Sequence, residues 1–185
     1  EQYIQSRIGN SDLKWEESTK QNLGFEVAVL KNLLNLNIDI FKDDRSGIFM
    51  SGSQRTSVPS MFGERPVSAN LGETTSRGYE IELKFRKEFG RDLYLWANLS
   101  QTHAKDKIVY MEDPELLPAY QKREGYQIGQ TKSVIQDGYV DNWNEFYATT
   151  PTGSGNQQRL PGDVYVIDFN GDGTIDSFDN APYAY

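Results

Sequence analysis

The sequence predicts an all-β fold, part of a transmembrane antiparallel β-barrel with long extracellular loops. Three observations predict it. Four segments alternate with period two, very short turns trade places with very long connections, and one face of every segment carries almost only large apolar side chains.

The first strand is expected over residues 19–30, with Leu23, Phe25, Val27 and Val29 opposing Asn22, Gly24, Glu26 and Ala28. Lys31-Asn32-Leu33 makes a tight turn, and a second strand over 34–46 sets Leu34, Leu36, Ile38 and Ile40 against Asn35, Asn37 and Asp39. A third strand over 76–87 repeats the plan, with Tyr79, Ile81, Leu83 and Phe85 against Glu80, Glu82 and Lys84. Glu88-Phe89-Gly90-Arg91 turns into a fourth over 91–103, where Leu93, Leu95, Ala97 and Leu99 alternate with Tyr94, Trp96, Asn98 and Ser100. The intervening 47–75 and the final 104–185 read as loops, far longer than the ~4–6 residues of an ordinary connection.

Short turns on one side and long loops on the other match the plan of an outer-membrane barrel, in which the polar face of each strand lines a wet lumen. A soluble antiparallel sheet with one solvated face produces the same alternation. Two features favour lipid: the uniformly large apolar residues, and the aromatics Tyr3, Trp15, Tyr79 and Phe89 near strand ends, where interfacial girdles lie.

Composition narrows the function. Of 185 residues, 19 are Lys or Arg and 27 are Asp or Glu, a net charge of -8 that argues against a nucleic-acid partner. The apolar share is 37% and the aromatic share 12%, so the chain is polar yet rich in rings. The longest apolar run is five residues, Leu93 to Ala97, against the ~20 of a membrane helix; strands remain possible. With no cysteine the redox compartment is left open. Glu1-Gln2-Tyr3-Ile4-Gln5 does not read as a signal peptide, which suggests either a cytoplasmic protein or a piece of something longer.

One stretch has metal-ligand spacing. Asp168, Asn170 and Asp172 fall at positions 1, 3 and 5 of a calcium loop, Gly173 at 6, Thr174 at 7, Asp176 at 9 and Asp179 at 12. Oxygen donors at alternating positions suit Ca2+, although Asp179 is shorter than the usual Glu. An Asx-turn loop with no metal explains the same residues. The flanks are not amphipathic helices, so an EF-hand pair is excluded.

Catalytic patterns are lacking: no Cys/His cluster, nucleophile elbow or phosphate loop occurs, and the single histidine, His103, reads as a solvated loop residue. Glu16-Glu17 and Glu80/Glu82 read as solvated carboxylates in preference to glycosidase acids. Tyr110, Tyr120, Tyr126, Tyr139, Trp143, Phe146 and Tyr147 suit stacking on sugars or docking a lid protein, or packing of a long loop on itself.

Three stretches carry a family resemblance. Asn10-Ser11-Asp12-Leu13-Lys14-Trp15-Glu16-Glu17-Ser18, running on through Asn22, Gly24, Phe25 and Glu26, resembles a barrel signature of the SusC/RagA-type TonB-dependent outer-membrane transporters. Asn70-Leu71-Gly72, with Ser76, Gly78, Tyr79, Glu80, Ile81 and Leu83, is similar to a strand start of that family. Pro161-Gly162-Asp163-Val164 through Asp168-Phe169-Asn170-Gly171-Asp172-Gly173-Thr174-Ile175 looks like one of its loops. The resemblance implies a piece from the C-terminal half of a barrel of about 22 strands. It implies TonB-dependent import of glycan or peptide breakdown products across the bacterial outer membrane, in complex with a SusD-like surface lipoprotein and with no reaction catalysed. TonB itself would engage parts of the protein outside this chain. The alternative is a soluble secreted carbohydrate-binding β-domain with a calcium-stabilised loop.

Overall fold

The computed structural model describes residues 9–57, 61, 63, 66–152 and 159–183. The chain divides into two units, Glu1–Pro114 with Glu124–Ile128, and Glu115–Arg123 with Gly129–Tyr185.

The first unit is one antiparallel sheet in the order β1 (Glu17–Val29), β2 (Leu34–Met50), β3 (Ala69–Phe89) and β4 (Leu93–Tyr110). Alternation dictates the faces and the register preserves them. On one side the ladder reads Val27, Leu36, Leu83, Leu99, then Phe25, Ile38, Ile81, Gln101, then Leu23, Ile40, Tyr79, His103. The other side reads Glu26, Asn37, Glu82, Ser100, then Gly24, Asp39, Glu80, Thr102.

On β3 the first face runs Tyr79, Ile81, Leu83, Phe85, Lys87, Phe89. Ten residue steps span ~34 Å along the strand, or about 24 Å across a bilayer at ~45° tilt, close to the ~25 Å apolar band of outer-membrane barrels. Lys87 interrupts the band near its turn end, with its ammonium 4.7 Å from the Phe89 ring centroid. The band also slides: its edge lies at Ile40 opposite Tyr79, but at Leu99 opposite Leu83, four residues along β3. A level band on tilted strands requires such a stagger.

The apolar face is bare. Leu23 is 70%, Phe25 65% and Leu99 69% exposed, and Met50 is the only hydrophobic residue buried among the described residues of this unit. A soluble sheet must cover one face to be stable; here the cover has to come from outside the chain.

The strands outrun the expected ends. β2 continues to Met50, β3 begins at Ala69 and β4 extends to Tyr110, so parts of the expected loops 47–75 and 104–185 are strand. Loss of apolar alternation marks where a strand leaves hydrocarbon, while backbone pairing continues into water. Regular pairing ends at bulges near Arg45/Ile48 and Glu73/Thr74. His103, expected in a loop, is within β4 with its ring 5.5 Å from that of Tyr79.

Two details explain motif residues. Gly78 pairs with Phe41 and Ala104, and a Cβ there would lie 2.3 Å from the His103 carbonyl and 2.6 Å from Phe41 Cζ; only glycine fits. Asn70 acts as a clamp, accepting from the Lys14 amide at 2.9 Å and donating to the carbonyls of Lys14 and Gly47. Asn10 Nδ2 donates to the Ser68 carbonyl and Glu16 accepts from the Phe49 amide, so the segment before β1 is tied across β2 and β3.

The second unit corrects the expectation of a plain loop over 104–185. It contains β5 (Lys132–Ser133) paired with β8 (Ala181–Pro182), β6 (Gln136–Tyr139) paired with β7 (Val164–Val166), α1 (Trp143–Ala148) and a 3-10 turn (Ser177–Asp179). Its core is Val140, Phe146, Ile175 and Ala181. Each element is too short for a readable period, which is why the sequence did not announce them.

Candidate functional site

Two places carry functional side chains: the polar face of the sheet and the acidic loop of the second unit. On the polar face, Glu82 is the hub. It accepts from Asn37 and Asn98 at 3.3 Å each, and its Oε2 pairs with Lys84 Nζ at 2.8 Å. Glu26, Asp39 and Glu80 stand on neighbouring ladder positions, and further along Asp43 accepts from Ser18 at 2.7 Å and from Arg45 at 3.2 Å. The expected pairing of Glu80 and Glu82 with a solvated face agrees with this arrangement. The face is polar, hydrogen-bonding and mainly anionic, suited to contact with a polar solute.

Beyond the sheet, Arg55 grips Glu112 in a bidentate pair at 2.6 and 2.9 Å and donates to the Val67 carbonyl. The Arg55 guanidinium holds the Glu112 carboxyl below the usual carboxylate range, against a smaller effect of burial.

The acidic loop is wound on its own amides. Asp168 accepts from the backbone N–H groups of Gly171, Asp172 and Gly173 at 2.7 to 3.2 Å. Asn170 donates to Asp172 at 2.9 Å, Asp172 also accepts from the Thr174 amide, and Asp176 caps the 3-10 turn through Phe178 N–H. Gly171 and Gly173 take φ of 74° and 86°, which glycine tolerates.

Asp179 is 0% exposed and accepts from the amides of Phe169, Asn170 and Asp176. Burial opposes its ionisation, but those three donors outweigh it and hold the carboxyl below its ordinary value. Of the six residues with calcium-loop spacing, then, Asn170 meets Asp172, while Asp168, Thr174, Asp176 and Asp179 are engaged with local backbone amides. Among the described residues no group of three or more His, Cys, Asp or Glu side chains converges in a way that could hold a metal.

The aromatics divide. Phe146 is buried, Tyr120 packs edge-on against Phe169 at 4.8 Å and donates to the Phe178 carbonyl, and Trp143, Tyr139 and Tyr147 stay exposed. Arg55 and Glu112 were not singled out by sequence; a lone Arg in a Ser/Gly-rich stretch gives no periodic signal.

A sheet with one bare apolar face, one polar face and a level band near 25 Å matches the wall of an outer-membrane β-barrel. The family model for the TonB dependent receptor-like β-barrel matches residues 2–184, and the chain belongs to that family. TonB-dependent receptor P39 of Formosa agariphila is 24% identical over 150 residues, covering 80% of this chain and 14% of the relative. TonB-dependent receptor P3 of the same organism is 28% identical over 184 residues, covering 93% and 18%. The chain thus spans less than a fifth of the curated relatives it matches. Among solved structures, the RagAB peptide transporter aligns at TM-score 0.59 and 18% identity, covering 79% of this chain and 16% of that one. The RagAB peptide importer in its open-open state aligns at 0.57 and 16%, covering 90% and 19%. The chain is therefore part of a TonB-dependent receptor-like β-barrel of the bacterial outer membrane. The alternative of a soluble carbohydrate-binding domain is set aside on the same finding.

Proposed function

We propose that the protein to which this chain belongs imports glycan or peptide breakdown products across the outer membrane, driven by TonB and capped by a SusD-like lipoprotein. The observation that carries the reading is the pairing, on the same four strands, of a bare apolar band with an Asn/Glu/Asp face. One face suits lipid and the other a polar cargo. The RagAB neighbours are described as a peptide transporter and importer, which favours peptides over glycans here. Anionic lumen positions such as Glu80 and Glu82 complement the amino-terminal charge of a peptide. Cells lacking the gene should lose uptake of labelled oligopeptides and regain it with the wild-type gene; undiminished uptake of both oligopeptides and oligosaccharides would contradict the proposal.

We further propose that the acidic loop holds Ca2+ as a structural ion. Four carboxyl groups, those of Asp168, Asp172, Asp176 and Asp179, crowd one loop, and a cation would relieve their mutual repulsion. Calcium at ~10⁻⁴–10⁻³ M, the range of extracellular modules, would serve. Titrating calcium into the chelator-treated protein should suppress protease nicking near Gly171; unchanged nicking across that range leaves the amide-wound turn alone.

A further inference from the structure

On the apolar side of the sheet, the row beyond Leu23, Ile40, Tyr79 and His103 is Gln21, Lys42, Arg77 and Lys105, and Lys107 follows one row later on β4. The four cations are exposed. Neighbouring strands lie ~4.8 Å apart, so Lys42 and Lys105 start within about 10 Å of each other with Arg77 between them. One carboxylate shares the patch: Asp44 holds Lys42 at 2.6 Å and accepts from Thr75. Glu17 and Glu73 lie farther out on the same face. Among the described residues Arg77, Lys105 and Lys107 make no salt bridge. At the same height the opposite face carries Lys20, Asp43, Ser76 and Asp106, so the excess of positive charge belongs to the apolar side alone.

Directly below the row is a concavity of about 560 Å³ whose lining includes Ile38, Ile40 and Ile81 on the apolar side and Arg77, His103 and Lys105 toward the cationic edge. An apolar recess under a cationic rim, on a face that meets hydrocarbon, matches an acyl chain below an anionic headgroup.

We propose that this row is a headgroup site for a phosphorylated acyl lipid in the leaflet on the side of the long connections. Arg77 and Lys105 take the phosphate, the guanidinium offering paired donors to two oxygens, and an acyl chain lies along the isoleucines. The proposal rests on the lipid-facing reading of this sheet. Each cation near an anionic lipid contributes ~1 kcal/mol, about fivefold in affinity.

The test uses the full-length barrel in mixed phosphatidylcholine and phosphatidic acid nanodiscs, with bound phosphatidic acid counted by native mass spectrometry. Arg77→Gln with Lys105→Gln should retain about 25-fold less, at ~1 kcal/mol per cation, and Lys20→Gln with Arg45→Gln on the opposite face should retain the wild-type amount. Equal retention by the first pair, or equal loss in the second, overturns the site. Inorganic phosphate at millimolar concentration should not displace the lipid; displacement would make it a free-anion site and overturn the proposal. Should the first pair fail to assemble, retention by the wild type must fall as salt rises, and salt-independent retention overturns it equally. Failure of the underlying lipid-facing reading would appear separately, as normal barrel assembly of Leu83→Arg.

Discussion

Gly78 sits where no side chain can. A Cβ 2.3 Å from a backbone carbonyl cannot be relieved by rotating a side chain, so Gly78→Ala should shift β3 against β4 and cost about 1–3 kcal/mol, the usual penalty of overpacking. The folded fraction of the refolded barrel across a urea series checks it. Glu112 gives a pH dependence with a definite sign. Its folded-state pKa is depressed beside Arg55, so the stability it contributes is present above the ordinary Glu value and is lost as pH falls through the depressed one. Protease nicking within residues 51–57 should therefore rise only on acidification below the usual carboxylate range, and Glu112→Gln should nick readily at neutral pH. Leu30, Lys31 and Asn32 have φ of 55°, 57° and 65°, a left-handed run that costs non-glycine residues ~1–2 kcal/mol each. Lys31→Gly should raise the urea midpoint of the barrel.

At the scale of the element, the four strands were legible because alternation survives any tertiary context that wets one face and dries the other. Leu34 to Ile40 and Tyr79 to Phe85 announce their faces residue by residue. The strand ends were not legible: from Lys42 to Met50 and Ala69 to Arg77 both faces are polar or mixed, and only backbone pairing holds the ladder. The acidic loop was legible as a turn from Asp168-Phe169-Asn170-Gly171-Asp172-Gly173, but not the burial of Asp179, which depends on amides ten residues away in the chain. The hairpin turns imply an orientation. With Asn32 in a short turn and Ser53 in a long connection, cysteine at Ser53 in the full-length protein should react with an impermeant reagent on intact cells and cysteine at Asn32 should not. The reverse pattern would invert the sheet.

For the whole molecule, the bare sheet is the decisive feature. Leucines exposed at 70% and 69% on both outer strands would make a monomeric soluble sheet aggregate; in a barrel they face acyl chains and the edges of β1 and β4 are closed by further strands. Arg at Leu83 or Ile38 should cost about 2–4 kcal/mol near the midplane, while Arg at Asn37 is tolerated by the lumen. The most direct test places a spin label at each position from Tyr79 to Phe85 of the full-length protein in bilayers and compares accessibility to oxygen and to a water-soluble nickel complex. The labels at 79, 81, 83 and 85 should favour oxygen and those at 80, 82 and 84 nickel, two period-two profiles in opposite phase. Profiles in the same phase, or nickel favoured at the leucine and isoleucine positions, would contradict a sheet with lipid on one side and a wet lumen on the other.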